Sequence, residues 1–132
     1  MSEAQLGRMQ FRIMQVLWDR GRITAREITD ALNESEPGSV AHSTVQTLLR
    51  QLEAKGAVGH EAEGRTFVFF PQLKEDRVKK TATRDLLERV FGGNVGSLVA
   101  HLLSTERLSK MELDELHRLI DQRRKDDLKG GR

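Results

Sequence analysis

The chain has 132 residues, of which 32% are charged and 37% apolar, with 22 Lys and Arg against 20 Asp and Glu and no cysteine. That length suits one medium core or two small ones, and no apolar run approaches the roughly 20 residues of a membrane span. Disulfides and thiolate metal sites are excluded, and the polar opening MSEAQLGRMQ lacks the apolar stretch of an export signal, so a soluble, cytoplasmic protein is expected.

Residues 6–20 place Leu6, Met9, Ile13, Val16 and Leu17 on one face, widened by Phe11, Met14 and Trp18, which predicts a helix buried on much of its circumference. Gly21 stops it, and Ile23 is expected to start a short strand that pairs with a later hairpin. Thr24 and Glu27 form a capping box, each side chain satisfying the other's free backbone N–H, and open a second helix that turns Ile28 and Leu32 inward. The segment from Asn33 to Ala41, with Pro37 and Gly38, is the turn before a third helix and is longer than the tightest helix-turn-helix connection.

In the third helix Val45, Leu48, Leu49 and Leu52 recur at i, i+3, i+4 and i+7 and make one apolar stripe. Ser43, Gln46, Thr47 and Arg50 lie opposite, and their side chains are of the kind that bond base edges or phosphates. Lys55 and Gly56 end the helix, with a cation in the last turn and a glycine for the left-handed cap. The period then changes: Val58 opens a strand, Glu63 and Gly64 mark a tight turn, and Thr66 to Phe70 form a β-prone run closed by Pro71. Helix, glycine stop and two-strand ribbon together are the back half of a winged helix-turn-helix, with Arg65 at the wing tip beside a phosphate. An ordinary amphipathic helix and a solvated hairpin arginine are the alternatives at this point.

Charge is uneven along the chain. Residues 1–75 carry 9 basic against 10 acidic side chains, and residues 76–132 carry 13 against 10. Phosphate neutralisation supplies most non-specific DNA affinity, so a near-neutral first half with a local patch of Arg50, Lys55 and Arg65 predicts modest affinity for one copy and a need for two.

After Pro71 a polar stretch through Asp76 reads as a join to an all-helical region. Val78, Ala82, Leu86, Leu87, Val90 and Phe91 set up one helix, stopped by Gly92, Gly93 and Asn94. Val95, Leu98, Val99, Leu102 and Leu103 make the stripe of a shorter one. Ser109 and Glu112 form a second capping box, and Leu113, Leu116, Leu119 and Ile120 line the last helix. Three such helices enclose too little surface to form a core alone, and a homodimer that completes one core from two copies is the expected answer. Its interface is assigned to Leu86, Val90, Leu98, Leu102, Leu103, Leu113, Leu116 and Ile120. The expected domains are residues 1–73, residues 74–122, and a charged, disordered tail over 123–132.

Enzyme chemistry finds no support. His42, His60, His101 and His117 are scattered without metal-ligand spacing, residues 92–96 (GGNVG) do not follow a strand or precede a lysine, and no nucleophile signature is present. No metal, cofactor or small-molecule substrate is expected.

The motifs MQVLWDRG, TAREITDAL, HSTVQTLLRQLEAKGAV and EGRTFVFFP, in that order, with a weaker continuation through GGNVGSLVAHLLSTERLSKMELDELHRLI, resemble the penicillinase-repressor (BlaI/MecI-type) family over roughly residues 6–122. The resemblance implies a mainly α protein with a small β-wing: an N-terminal winged helix-turn-helix and a C-terminal three-helix dimerisation domain. It also implies a homodimeric repressor on a palindromic double-stranded operator, and a membrane sensor with a cytoplasmic zinc protease as partner, which induces by cutting the repressor's dimerisation domain. Thr44 and Thr47 match the family's T-[VI]-x-T recognition pattern and Arg65 its wing arginine. Ser43 stands where well-known members have lysine, so their operator sequence does not transfer. The family's Asn-Phe cleavage bond aligns with His101-Leu102, and neither residue matches. A winged-helix module that binds protein instead of DNA is the competing expectation.

Overall fold

A computed structural model describes residues 5–130, and their order is α1 (Arg8–Arg20), β1 (Ile23–Thr24), α2 (Ala25–Leu32), α3 (His42–Ala54), β2 (Val58–Glu63), β3 (Thr66–Pro71), α4 (Glu75–Phe91), α5 (Val95–Thr105) and α6 (Lys110–Lys129). The chain divides after Leu86 into two units.

In the first unit the apolar faces of α1, α2 and α3 converge. Ile13, Met14 and Leu17 of α1, Ile28 of α2, and Val45 and Leu52 of α3 have no exposed surface. Ile23, Val58 and Val78 close the same core. The sheet has the order β1-β3-β2, antiparallel throughout, with Ile23 opposite Phe69 and His60 also opposite Phe69 across the other edge. Ile23 thus forms the expected strand and seats the hairpin on the helices. Glu63 pairs with Thr66, so the wing turns on Gly64 and Arg65 alone. Gly64 has φ 64°, the positive value that the first central residue of a type II′ hairpin turn requires. Three helices with a three-stranded sheet in this order make a winged helix.

Local chemistry explains the details. The Thr24–Glu27 box is formed, with the Thr24 N–H donating to Glu27 Oε1 at 3.0 Å and the Glu27 N–H to Thr24 Oγ1 at 3.1 Å. The long link from α2 to α3 is held by one side chain: Asn33 Nδ2 donates to the carbonyls of Thr29 and Val40, and Asn33 Oδ1 accepts from the Val40 N–H and the Ser39 hydroxyl. With all its hydrogen-bonding capacity used locally, Asn33 makes a loop of that length behave like a tight turn. Trp18 is partly buried, donates its indole N–H to the Leu73 carbonyl at 2.9 Å, and meets Phe11 edge-on. Helix α1 begins at Arg8, two residues later than expected, because Gly7 takes the capping position and its N–H donates to Gln10 Oε1.

The second unit holds the end of α4, all of α5 and all of α6. Asn94 caps α5 by accepting from the Ser97 N–H at 2.9 Å, and Ser109 and Glu112 cap each other at the start of α6. Two expectations are corrected here. The polar stretch through Asp76 is a shorter join than expected, since α4 already begins at Glu75, with Glu75 and Asp76 favourably placed in its first turn. The tail expected to be disordered from Arg123 is helical to Lys129, where Gln122–Asp126 and Arg123–Asp127 pairs at i, i+4 support the last turns. No helix among the described residues is long and apolar enough to cross a membrane.

Candidate nucleic-acid interface

Helix α3 buries Val45, Leu49 and Leu52, which leaves Ser43, Thr44, Gln46, Thr47 and Arg50 exposed on its other side. Its N-cap is Ala41, which has no side-chain acceptor, so the first-turn N–H groups are not capped from within. The Thr47 hydroxyl donates to the Ser43 carbonyl at 3.1 Å and accepts from Arg50 Nη2 at 3.2 Å. Thr47 therefore aims the guanidinium as much as it offers a group of its own.

Between α3 and the hairpin lies a groove of about 600 Å³. His42, Gln46, Arg50 and Glu53 line one wall, four residues that succeed each other along one side of the helix. Arg65, Thr66, Phe67 and His60 are on the hairpin wall. The two walls are clamped together: His60 Nδ1 lies 2.8 and 2.9 Å from the two carboxylate oxygens of Glu53, while the His60 ring contacts Phe67 at 4.7 Å and Phe69 at 5.4 Å between centroids. At the start of the helix the Thr29 hydroxyl is 2.9 Å from both the Ala25 carbonyl and His42 Nδ1. A hydroxyl has one proton, and it goes to the carbonyl, so the His42 Nδ1–H must donate to Thr29.

On the hairpin's β2 strand, Glu61 and Glu63 alternate with the groove-lining His60 and carry two negative charges. Arg22 answers both, with Nη2 at 3.0 Å from Glu61 and 3.3 Å from Glu63, and its guanidinium sits 5.3 Å from the centre of the Phe70 ring. Its bonds to Glu61 first, then Glu63, raise its pKa further above the ordinary arginine value.

The model of the penicillinase repressor family matches residues 6–122. This chain belongs to that family. It is 30% identical to a penicillinase repressor of Bacillus licheniformis over 118 residues, covering 89% of this chain and 91% of the relative. It is 21% identical to the methicillin resistance regulatory protein MecI of Staphylococcus aureus over 119 residues, covering 90% and 95%. Among solved structures, the DNA-binding domain of the repressor BlaI is 32% identical, with a TM-score of 0.49, covering 57% of this chain and 90% of that one.

Of the residues singled out from the sequence of this family member, Gln46, Arg50 and Arg65 meet at one groove. Ser43, Thr44 and Thr47 are exposed on α3 outside it. Lys55, expected against a phosphate, is instead committed inward: its ammonium donates to Gln10 Oε1 at 2.8 Å and to the Gln5 carbonyl at 3.1 Å. Gln10 is 7% exposed, and its amide also bonds Gln51, so the lysine completes a bridge between α1 and the end of α3. The sequence did not mark His42, Glu53, His60, Phe67 or Arg22. Their placement depends on strand register and on contacts up to 41 residues apart, which no local pattern carries. The period-2 alternation of β3 was the one available signal, since it puts Phe67 and Phe69 on the same face as His60.

Proposed function

We propose that the chain is a transcriptional repressor that binds a palindromic double-stranded operator as a homodimer, with α3 in the major groove and the β2–β3 wing on the adjoining backbone. The observation that carries this is the groove in which Arg50 of the helix and Arg65 of the wing tip face a common space, in a member of the penicillinase repressor family. A helix fits the major groove of B-form DNA, and an arginine on its exposed face has the reach for a guanine edge or a phosphate. The homodimer is supported by the C-terminal stripes: Leu86, Val90, Leu102, Leu103, Leu113, Leu116 and Ile120 are all exposed, and Leu98 is half-buried. Apolar area of that extent is covered when a second copy brings the same stripes.

Induction by a membrane sensor-protease is the family's implied route. The aligned His101-Leu102 bond lies within α5, where the His101 carbonyl accepts from the Ser104 and Thr105 hydroxyls and the ring meets Phe91 at 5.9 Å. A protease reads extended chain, so a cut there first requires α5 to unwind. We place control in the dimer rather than in the recognition helix.

The test is a mobility shift of the full chain against DNA upstream of its own gene, with an unrelated duplex as control. Arg50→Ala is expected to weaken specific binding by about 1–3 kcal/mol. For Arg65→Ala a smaller, sequence-independent loss is expected, with a shallower dependence on salt. Equal affinity for operator and control would sink the repressor reading in favour of a protein-binding module.

A further inference from the structure

We propose that Phe67 is a DNA-contacting residue, whose ring receives a deoxyribose of the strand that passes between α3 and the wing. This rests on the operator-binding reading above.

Phe67 is 54% exposed, whereas the residues that follow it along β3 are covered: Val68 is buried, and Phe69 and Phe70 are half-buried. An aromatic side chain left open on a two-strand ribbon contributes little to folding. Its ring is nevertheless fixed. His60 lies against it at 4.7 Å, Phe69 backs His60, and Glu53 holds the imidazole from α3 with both carboxylate oxygens. A surface immobilised before its partner arrives loses little further entropy on binding. The chain of contacts also links the ring's position to the recognition helix.

The surroundings specify the occupant. Arg50 and Gln46 stand on one wall of the groove, and Arg65, Thr66 and the apolar ring of Phe67 on the other. A nucleic-acid strand alternates anionic phosphates with apolar sugar faces at the spacing of one nucleotide, so a groove that holds two guanidinium groups and an open ring complements it. Glu53, the acid on the α3 wall, has both oxygens turned to His60. An acidic or apolar peptide would match only one of the two features.

The experiment compares Phe67→Ala and Phe67→Leu with the wild-type chain in operator titrations over a range of salt, with thermal unfolding in parallel. Burying about half of a phenyl ring corresponds to roughly a 10-fold change in affinity, so Phe67→Ala should bind about 10-fold more weakly and Phe67→Leu should recover much of the loss. The contact involves no charge, so the salt slope should stay that of wild type, unlike that of Arg65→Ala. The factor should be similar on operator and on unrelated duplex, since every deoxyribose presents the same face. A wild-type chain that fails to shift any operator would remove the underlying reading itself. Given wild-type binding, an unchanged Phe67→Ala affinity, a flattened slope, or a loss that tracks a lowered melting temperature would overturn this inference.

Discussion

The two units of this chain differ in where they put their leucines. Up to Leu86 the apolar side chains of α1, α2, α3 and the sheet meet one another, and Ile13, Leu17, Val45 and Leu52 have no exposed surface at all. Among the described residues from Leu87 onward, the only buried apolar one is Leu87 itself, and α5 and α6 have none. Both units are equally well supplied with local structure, including a formed capping box in each. The difference therefore lies in tertiary burial, which is what makes a helix stable in water. One unit buries its apolar faces within a single copy; the other leaves them exposed.

The sharpest way to break this contrast is a charge in the C-terminal stripe. Leu116, 40% exposed in the single chain, would be covered twice in a symmetric dimer, so Leu116→Asp places two unpaired carboxylates in one interface. Sedimentation should show monomers throughout the micromolar range, and operator affinity should fall on the order of 10²-fold or more, because the second half-site contact loses its tether. The N-terminal unit should melt as before. A wild-type chain that is already monomeric at those concentrations would reverse the interpretation of the exposed stripes. In the other unit the effect should be intramolecular. Leu49→Ala removes a side chain that is 1% exposed and should cost about 2–5 kcal/mol in denaturant unfolding, with the dimer contacts of any folded fraction unchanged.

These regions were not equally legible. The winged helix could be followed residue by residue because its signals are local: the stripe of α3, the glycine that ends it, and the positive-φ glycine of the wing turn. Even there Lys55 misled, since a lysine at a helix end looks the same in sequence whether it faces solvent or a buried glutamine such as Gln10. The stripes of α5 and α6 were equally visible, but periodicity shows only that a face is apolar, not what covers it. The helix beyond Arg123 is hidden for a related reason. As composition its charges read as a solvated tail, whereas the i, i+4 pairing of Arg123 with Asp127 turns the same charges into helix support. The groove residues His60 and Phe67 come together through register, and register appears only once β2 and β3 are paired.

The smallest expected effect tests whether a cap counts equally in the two units. Thr24→Ala should cost about 1 kcal/mol, as loss of an N-cap typically does, because α2 unfolds together with the core it is packed on. Ser109→Ala removes the same bonds from α6, and at concentrations too low for association it should leave the N-terminal melting transition where it was. Titration gives an independent check on the first of these. The Glu27 carboxylate accepts from the Thr24 N–H and, as the smaller effect, from the Thr24 side chain, and these hold its pKa below the ordinary carboxylate value. A depressed folded pKa means that the ionised form is favoured in the native state. Its contribution is therefore fully present above the unfolded carboxylate pKa and is lost as pH falls through the folded one. Stability compared between neutral pH and pH values below the usual glutamate range should decline slightly less steeply in Glu27→Gln than in wild type, since the glutamine keeps an acceptor for the Thr24 N–H but has no proton to bind. Identical slopes for the two proteins would show that the box is held by geometry alone and that its charge adds nothing.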